Sequence, residues 1–394
     1  MKICIVTPYV MKGDGQGRVN YEIVWGAIRR GHHLTLVCKK IAPELQMHPQ
    51  VTWIHFDIPN YPAQLLSEIA FSRKSAAWLK EHRQEFDIVK VCGAVTSAAC
   101  DVNVAHFIHS AWLKSPVHTA RVNKNIYGLY HWLYSALNAY WEKQIFPRAK
   151  VAIAVSDKIR QELITEVGLP EEQVRVIING VDTEEFVPGN RSRQEYGLPE
   201  NVTMGLFAGD IRTNRKNLDT ILKALVQVPE MHLAVAGNTT DSPYPALAQE
   251  LGISDRVHFL GFRRDIAQIM QAVDCFIFPS RYEACTLVML EAMASGLPVI
   301  TATSAGGAEL VTSECGFVLS NSDDIAGLAA AMSQLQGDRQ LREQMSLASR
   351  RVAEQNTWAN MADNYIQLFE ELATVNSPTP AVTTSYLSTT SIAH

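Results

Sequence analysis

Short β-branched runs alternate with longer helical stretches along almost the whole chain, and this alternation limits the fold more than any single motif. In the first half the apolar runs are KICIVTP, LTLVC, VTWIHF, DIVKVC, VNVAHFIH, KVAIAVS and VRVIIN, with helical patterns between them at 18–30, 63–83, 125–145 and 156–167. The second half repeats the arrangement with TMGLFAG, HLAVAG, VHFLGF, DCFIFPS, PVITAT and GFVLS. Strands joined through helices must pair in parallel, and both faces of their sheet are then covered. Two such series predict an α/β chain of two Rossmann-like, doubly wound domains, and 394 residues suit two domains better than one. Gly, Pro and charged residues interrupt the strand run over NGVDTEEFVPGNRSRQEYGLPEN, so the expected units are 1–185 and 186–357. Beyond residue 373 the Ser-, Thr- and Pro-dominated TVNSPTPAVTTSYLSTTSIAH predicts a disordered tail over 374–394.

Composition removes several classes. Hydrophobic residues make up 47% and charged residues 19%, enough for sizeable cores. A formal net charge of −5 gives no global electrostatic reason to bind nucleic acid. The seven cysteines form no C-x-x-C pair and sit mostly inside apolar runs, as reduced core residues of a cytosolic protein do. MKICIVTPYV leads straight into glycines and reads as a first strand rather than a signal peptide. No apolar run reaches the ~18 residues a membrane span needs. The expected location is cytoplasmic, with peripheral contact at the membrane's cytoplasmic face left open.

Ligands of an open parallel sheet bind beyond the carboxyl ends of its strands, where three loops of the second half should gather. In GDIRTNRKN, Gly209 lets the backbone turn, and Arg212, Arg215 and Lys216 concentrate positive charge beside a helix start. That suits a diphosphate, although a short basic cluster is equally at home in water. The second loop belongs to FPSRYEACTLVMLEAMASGLPV, whose helix is apolar all round yet carries Glu291 two turns beyond Glu283. A carboxylate in such a helix needs either a protein partner or a ligand. The third loop offers Gly306, Gly307 and Glu309. Carboxylates accept from vicinal hydroxyls while Arg and Lys neutralise phosphates, so the three loops together fit a nucleoside diphosphate bearing a sugar.

EACTLVMLEAMASGLPVI resembles the E-x7-E signature of glycosyltransferase family 4, retaining enzymes of the two-domain GT-B fold. The resemblance extends through GDIRTNRKNLD, VIINGVD, AVSDKIRQEL and the Gly306–Gly307 run leading to Glu309, covering nearly the whole chain except the tail. It implies that Glu283 sits near the donor sugar and the scissile bond and that Glu291 binds the ribose hydroxyls. Arg212 and Lys216 would hold the diphosphate, with Arg215 competing for either role. His109, closing the strand run VNVAHFIH, would reach the donor sugar from the first domain, and the glycine turn with Gly15 and Gly17 would line the cleft from the same side. The helix over 358–373 would cross back to the first domain. The family's usual Gly-Phe-Gly after the first glutamate is replaced by Ala284-Cys285-Thr286, ahead of Leu287, which puts the shape of the donor pocket in question. Cys285 is read as a small side chain that fits rather than a redox-active thiol.

The resemblance further implies transfer of a sugar to a hydroxyl on a glycan, a lipid-linked molecule or a small molecule. No D-x-D or His/Asp cluster stands out, so no metal and no cofactor are expected. Two rival readings of the same fold are a non-hydrolysing sugar-nucleotide epimerase and a non-catalytic sugar-nucleotide binding protein. A nicotinamide enzyme fits poorly, because GDGQG is G-x-G-x-G and the second strand ends in Lys39 and Lys40 rather than an acid. Residues 106–150 hold six Lys or Arg and one Glu among nine aromatics. This basic, aromatic stretch could settle on anionic lipid, but Tyr127, Tyr130, Tyr134, Leu137 and Trp141 recur at three and four and predict a core-facing helix side.

Overall fold

The computed structural model describes residues 1–13 and 15–376; the predicted tail lies outside the described residues, apart from the end of the last helix. Two parallel sheets carry the fold. In the first, strands Val51–Ile54, His33–Val37, Lys2–Val6, Ile88–Cys92, Val102–Ala105, Val151–Ala154 and Val174–Val176 lie side by side in that order. In the second the order is Val257–Gly261, Met231–Ala236, Thr203–Ala208, Cys275–Phe278, Val299–Ala302 and Gly316–Leu319. Every pairing within these two sheets is parallel. The central strands are apolar because both of their faces are covered: Ile3, Cys4, Ile5, Val6, Phe276, Ile277 and Phe278 are fully buried.

In both sheets the chain starts in the middle, builds outward to one edge, then returns to build the other. The order therefore reverses beside Lys2–Val6 in the first sheet and beside Thr203–Ala208 in the second. The loops leaving the strands at such a reversal diverge and leave a crevice. These two crevices form the walls between which the candidate site is built.

The last helix, Trp358–Asn376, returns from the second half and packs on Gly15–Arg29 of the first, burying Met361, Ala362, Tyr365, Ile366 and Phe369. The spacing of these residues places them on one helical face. The crossing is close at Gly26, where an added Cβ would stand 2.8 Å from that of Ala362. Arg30 ties the pair at the rim through Asp363, 3.0 Å away. One end of the chain thus belongs to both units.

The strand run VNVAHFIH stops at Ala105, earlier than its apolar pattern suggests. His109 instead opens a one-turn helix, His109–Trp112. The long helix Ile126–Ile145 also departs from expectation. Its buried residues are Gly128, Ser135, Asn138, Ala139, Glu142 and Ile145, while Ile126, Tyr127, Leu129, Trp132, Leu133 and Tyr140 are exposed. Tyr127 faces solvent, and Tyr130, Tyr134, Leu137 and Trp141 are only half-buried, so their recurrence marks no core face. The inner side is polar because it serves polar neighbours. Ser135 bonds the His118 ring at 3.1 Å, and Glu142 receives the start of the His109 helix.

Candidate active site

The loops that follow Thr203–Ala208 and Cys275–Phe278 stand next to each other and brace one another. The guanidinium of Arg281 reaches Asp219 at 2.7 and 2.8 Å, Asp323 at 2.7 Å and the carbonyl of Asn214 at 2.6 Å. Its backbone N–H donates to the Arg215 carbonyl at 2.9 Å. Asn217 turns the chain with φ of 67°, and its side-chain amide donates to the carbonyls of Pro279 and Ser322. Asparagine tolerates this left-handed conformation better than most residues.

The braced turn delivers two cations to one carboxylate. The Lys216 ammonium lies 2.6 Å from Glu283 Oε1, and Arg215 is 3.5 Å from the same oxygen. The Lys216 stem runs past Gly209, 3.7 Å from where a Cβ would be, an ordinary contact distance. Burial holds the Lys216 pKa below the usual lysine range, partly opposed by the Glu283 charge. Arg212 points elsewhere: its guanidinium makes two bonds to Asp210, at 2.9 and 3.1 Å, and its side chain is 57% exposed. Of the three basic candidates, the structure brings Arg215 and Lys216 to Glu283 but not Arg212.

Glu291 lies on the helix Leu287–Ala294, among the buried Met289, Leu290, Ala292 and Met293. Its carboxylate makes no hydrogen bond or ion pair with the described residues. Burial raises its pKa to about 7; the nearby Glu185 pushes the same way and Arg18 opposes. Arg18 comes from the first domain and is engaged with Glu22 at 2.7 Å and Asp182 at 3.5 Å. An unpartnered carboxylate in such a place can accept two hydroxyl hydrogen bonds without displacing any existing contact. Its raised pKa also makes a prediction. Folding keeps this proton where the unfolded chain has lost it, so the stability it supports is present below about 4.5 and falls as pH rises towards 7. Glu291→Gln removes that loss, so the melting temperature of the ligand-free variant minus that of the wild type should climb between pH 5 and pH 8. A difference independent of pH would contradict the raised pKa.

The first domain supplies the facing wall. Gly15 and Gly17, expected in a glycine turn, instead lie in the first turn of the helix Gly15–Arg29; a Cβ on Gly15 would stand 3.5 Å from Leu287 Cδ1 of the second domain, and Gly17 is buried. The His109 N–H and the Ser110 N–H and hydroxyl all donate to Glu142, at 2.7, 3.1 and 3.0 Å. The His109 ring packs between Phe107 and Tyr134, and burial with the neighbouring His118 brings its pKa down to about 4. At neutral pH it is an uncharged imidazole that can exchange hydrogen bonds with a sugar. It lines a cavity of about 1090 Å³ together with Gln16, Cys92, His106, Tyr134 and Trp141.

The Ala284-Cys285-Thr286 turn has its glycine on another segment. The Gly306 N–H donates to the Glu283 carbonyl and the Thr286 N–H donates to the Gly306 carbonyl, both at 3.0 Å. A Cβ on Gly306 would fall 1.9 Å from the Ala284 oxygen, so the close approach is available only to glycine. Thr286 immediately precedes the helix that carries Glu291. Cys285 is half-buried against the first domain's core, and desolvation pushes its thiol up to about 12, which disfavours the reactive thiolate. Arg18, Glu142 and Arg281 were not legible in the sequence, since each acquires its role from a partner far along the chain. Among the described residues no three His, Cys, Asp or Glu side chains converge as a metal site.

Residues 13–185 match the family model described as Glycosyltransferase Family 4, and residues 188–352 match Glycosyl transferases group 1. The chain belongs to the family 4 glycosyltransferases. Among the relatives of this family member is the lipopolysaccharide glucosyltransferase WaaG of Escherichia coli, 26% identical over 85% of this chain and 86% of that protein. A solved WaaG structure superposes with a TM-score of 0.72 at 21% identity, over 93% of this chain and 99% of the other, and the shared fold is GT-B. The D-inositol 3-phosphate glycosyltransferase of Mycolicibacterium smegmatis is 32% identical over 58% of this chain, a match spanning about half, 54%, of that protein's length. Anabaena HepE, solved with UDP and glucose, has a TM-score of 0.67 at 21% identity, over 94% of this chain and 99% of that one. Glu283 and Glu291 fall inside the group 1 match, and His109, Gly15 and Gly17 inside the family 4 match.

Proposed function

We propose that the chain transfers a sugar, with retention of anomeric configuration, from a nucleoside-diphosphate donor to an acceptor hydroxyl. The observation that carries this reading is one wall of the cleft, where Lys216 and Arg215 converge on Glu283 while Glu291 lies unpartnered on the following helix. The UDP and glucose of the Anabaena neighbour agree with such a donor. In this reading Glu291 holds the ribose diol and the cations neutralise the diphosphate as it departs. Glu283 and the neutral His109 orient the sugar from opposite domains. The departing phosphate accepts the acceptor's proton on the face where the new bond forms, so no nucleophile from the protein is required. The chain contributes position and fixed charge. We further propose that the two cations make a metal unnecessary. The test is release of nucleotide from UDP-, GDP- and ADP-sugars after EDTA treatment. Acceptor-dependent release that EDTA leaves intact is the expected result, and activity lost to EDTA and restored by magnesium or manganese would overturn metal independence.

The cavity lined by His109 borders the helix Ile126–Ile145, which contributes Tyr134, Asn138, Trp141 and Glu142 to its lining, and in this reading it receives the acceptor. The exposed apolar face of that helix has Arg121 and Lys124 just before it and Lys143 near its end, and its one acid, Glu142, is buried. Among the described residues no helix is long and apolar enough to cross a membrane. We propose peripheral contact with an anionic lipid surface through this face, with a lipid-linked acceptor entering the cavity beside it. Co-sedimentation with anionic vesicles should exceed that with neutral ones and fall in Trp132→Ser with Leu129→Ser. Equal recovery with both vesicle types would end the proposal.

A further inference from the structure

Tyr282 stands one residue before Glu283, but its side chain leaves the donor wall and enters the first domain. Only 5% of it is exposed. The ring lies against Phe107 and Trp112, with centroids 5.4 and 4.9 Å away, and the Lys158 ammonium sits 3.7 Å from its centre. The hydroxyl lies 3.2 Å from the Ile108 carbonyl and 3.1 Å from Glu162 Oε2, and its single proton serves one of them at a time. Glu162 is in turn fixed by Lys158 at 2.6 Å. A phenol in a cage of two aromatic rings, an ammonium and two acceptors has little freedom to move.

What the cage connects matters more than its tightness. Ile108 immediately precedes His109, and Tyr282 immediately precedes Glu283. The hydroxyl contact therefore joins the backbone next to one site residue to the side chain next to the other, across the cleft. The other flank of the turn is clasped separately. The Ser156 hydroxyl donates to the Ala284 carbonyl at 2.6 Å, and the Asp157 N–H donates to Glu309 at 2.7 Å. The segment 282–284 is thus gripped by the first domain on both sides of Glu283.

We propose that Tyr282 is a positioning residue that sets Glu283 against His109, so that the donor-side carboxylate reaches its working place only when the two domains are closed. The proposal rests on the transferase reading for its kinetic consequences, but the closure contact itself does not. Nucleotide recognition sits on the second domain, at Arg215, Lys216 and Glu291. Loss of the Tyr282 contacts should therefore leave donor binding alone and slow the transfer step.

Two variants and two readouts test this. Tyr282→Phe keeps the ring in its cage and removes the hydroxyl; kcat should fall about tenfold while KM for the donor changes less than about twofold, since one hydrogen bond to a charged or backbone acceptor is at stake. Tyr282→Ala removes the whole anchor and should lower kcat about 100-fold, the size of effect that a displacement of about 1 Å at a reacting centre produces. It should also raise the fraction of donor lost to water, because the cleft no longer shuts reliably. Unchanged kcat in both variants, or a rise in donor KM that accounts for the whole loss, would overturn the positioning role. Small-angle scattering reads the contact without any turnover. A larger radius of gyration for ligand-free Tyr282→Ala than for the wild type supports the anchor, and identical curves refute it even if no donor has been found.

Discussion

Lys216→Ala should lower kcat by about 10²–10³-fold, the cost of removing one preorganised charge from a developing anion. The lysine is the cation closest to Glu283, at 2.6 Å, and its side chain is only 16% exposed, so its charge acts where water screens little. Arg215 remains at 3.5 Å and should preserve part of the stabilisation, which makes the double variant Lys216→Ala with Arg215→Ala worse than either alone. Arg212→Ala is the informative contrast. That guanidinium is turned to Asp210 and largely exposed, so its removal should cost less than about tenfold, as loss of an exposed pair does. Steady-state rates at saturating donor, with melting temperatures as a check on folding, decide the order. If Arg212 proved costlier than Lys216, the loop would have to rearrange around the donor before transfer.

The second large effect concerns donor affinity. Glu291→Ala should weaken nucleotide binding about 10–100-fold, since two ribose hydroxyls lose a charged acceptor. Thermal unfolding displays this directly. At ~100 times its dissociation constant a nucleotide stabilises the wild type by about 2.7 kcal/mol, whereas a hundredfold weaker complex at the same concentration retains only about 0.4 kcal/mol. The ligand-free variant should melt no lower than the wild type near pH 8, because the carboxylate that it lacks is largely desolvated and unpartnered there. Retained nucleotide shifts in Glu291→Ala would mean that the carboxylate serves something other than the ribose.

The parallel sheets were legible because covered strands must be apolar and the helices between them fix the direction of pairing. Every apolar run named in the sequence became a strand, though VNVAHFIH lost its second half to the turn in which Glu142 gathers His109 and Ser110. That loss could not be foreseen, because Glu142 lies 33 residues beyond His109. The helix Ile126–Ile145 misled for a related reason. Periodicity shows that a helix has two faces, not which one the core takes, and here the inward face serves Ser135, Asn138 and Glu142. Glu283 and Glu291 could be singled out because spacing along one chain segment survives folding, and Lys216 because it stands in a basic run beside a helix start. The choice between Arg212 and Arg215 was open in the sequence, since a flexible loop does not say which side chain turns back on its own aspartate. Arg18 and Tyr282 stayed hidden altogether, for their contacts are to residues far along the chain.

Retaining transfer from a nucleotide sugar can be followed by a proton NMR time course of the donor's anomeric signal. The donor base is chosen by thermal shift, and the sample is followed with and without a hydroxyl acceptor. The expected result is a stable signal for the donor alone, loss of that signal once acceptor is present, and a new anomeric proton of the same configuration. Conversion of the donor without acceptor would point to an epimerase, an inverted product would rule out the same-face mechanism, and a bound donor left unconsumed across a broad acceptor panel would make the chain a binding protein.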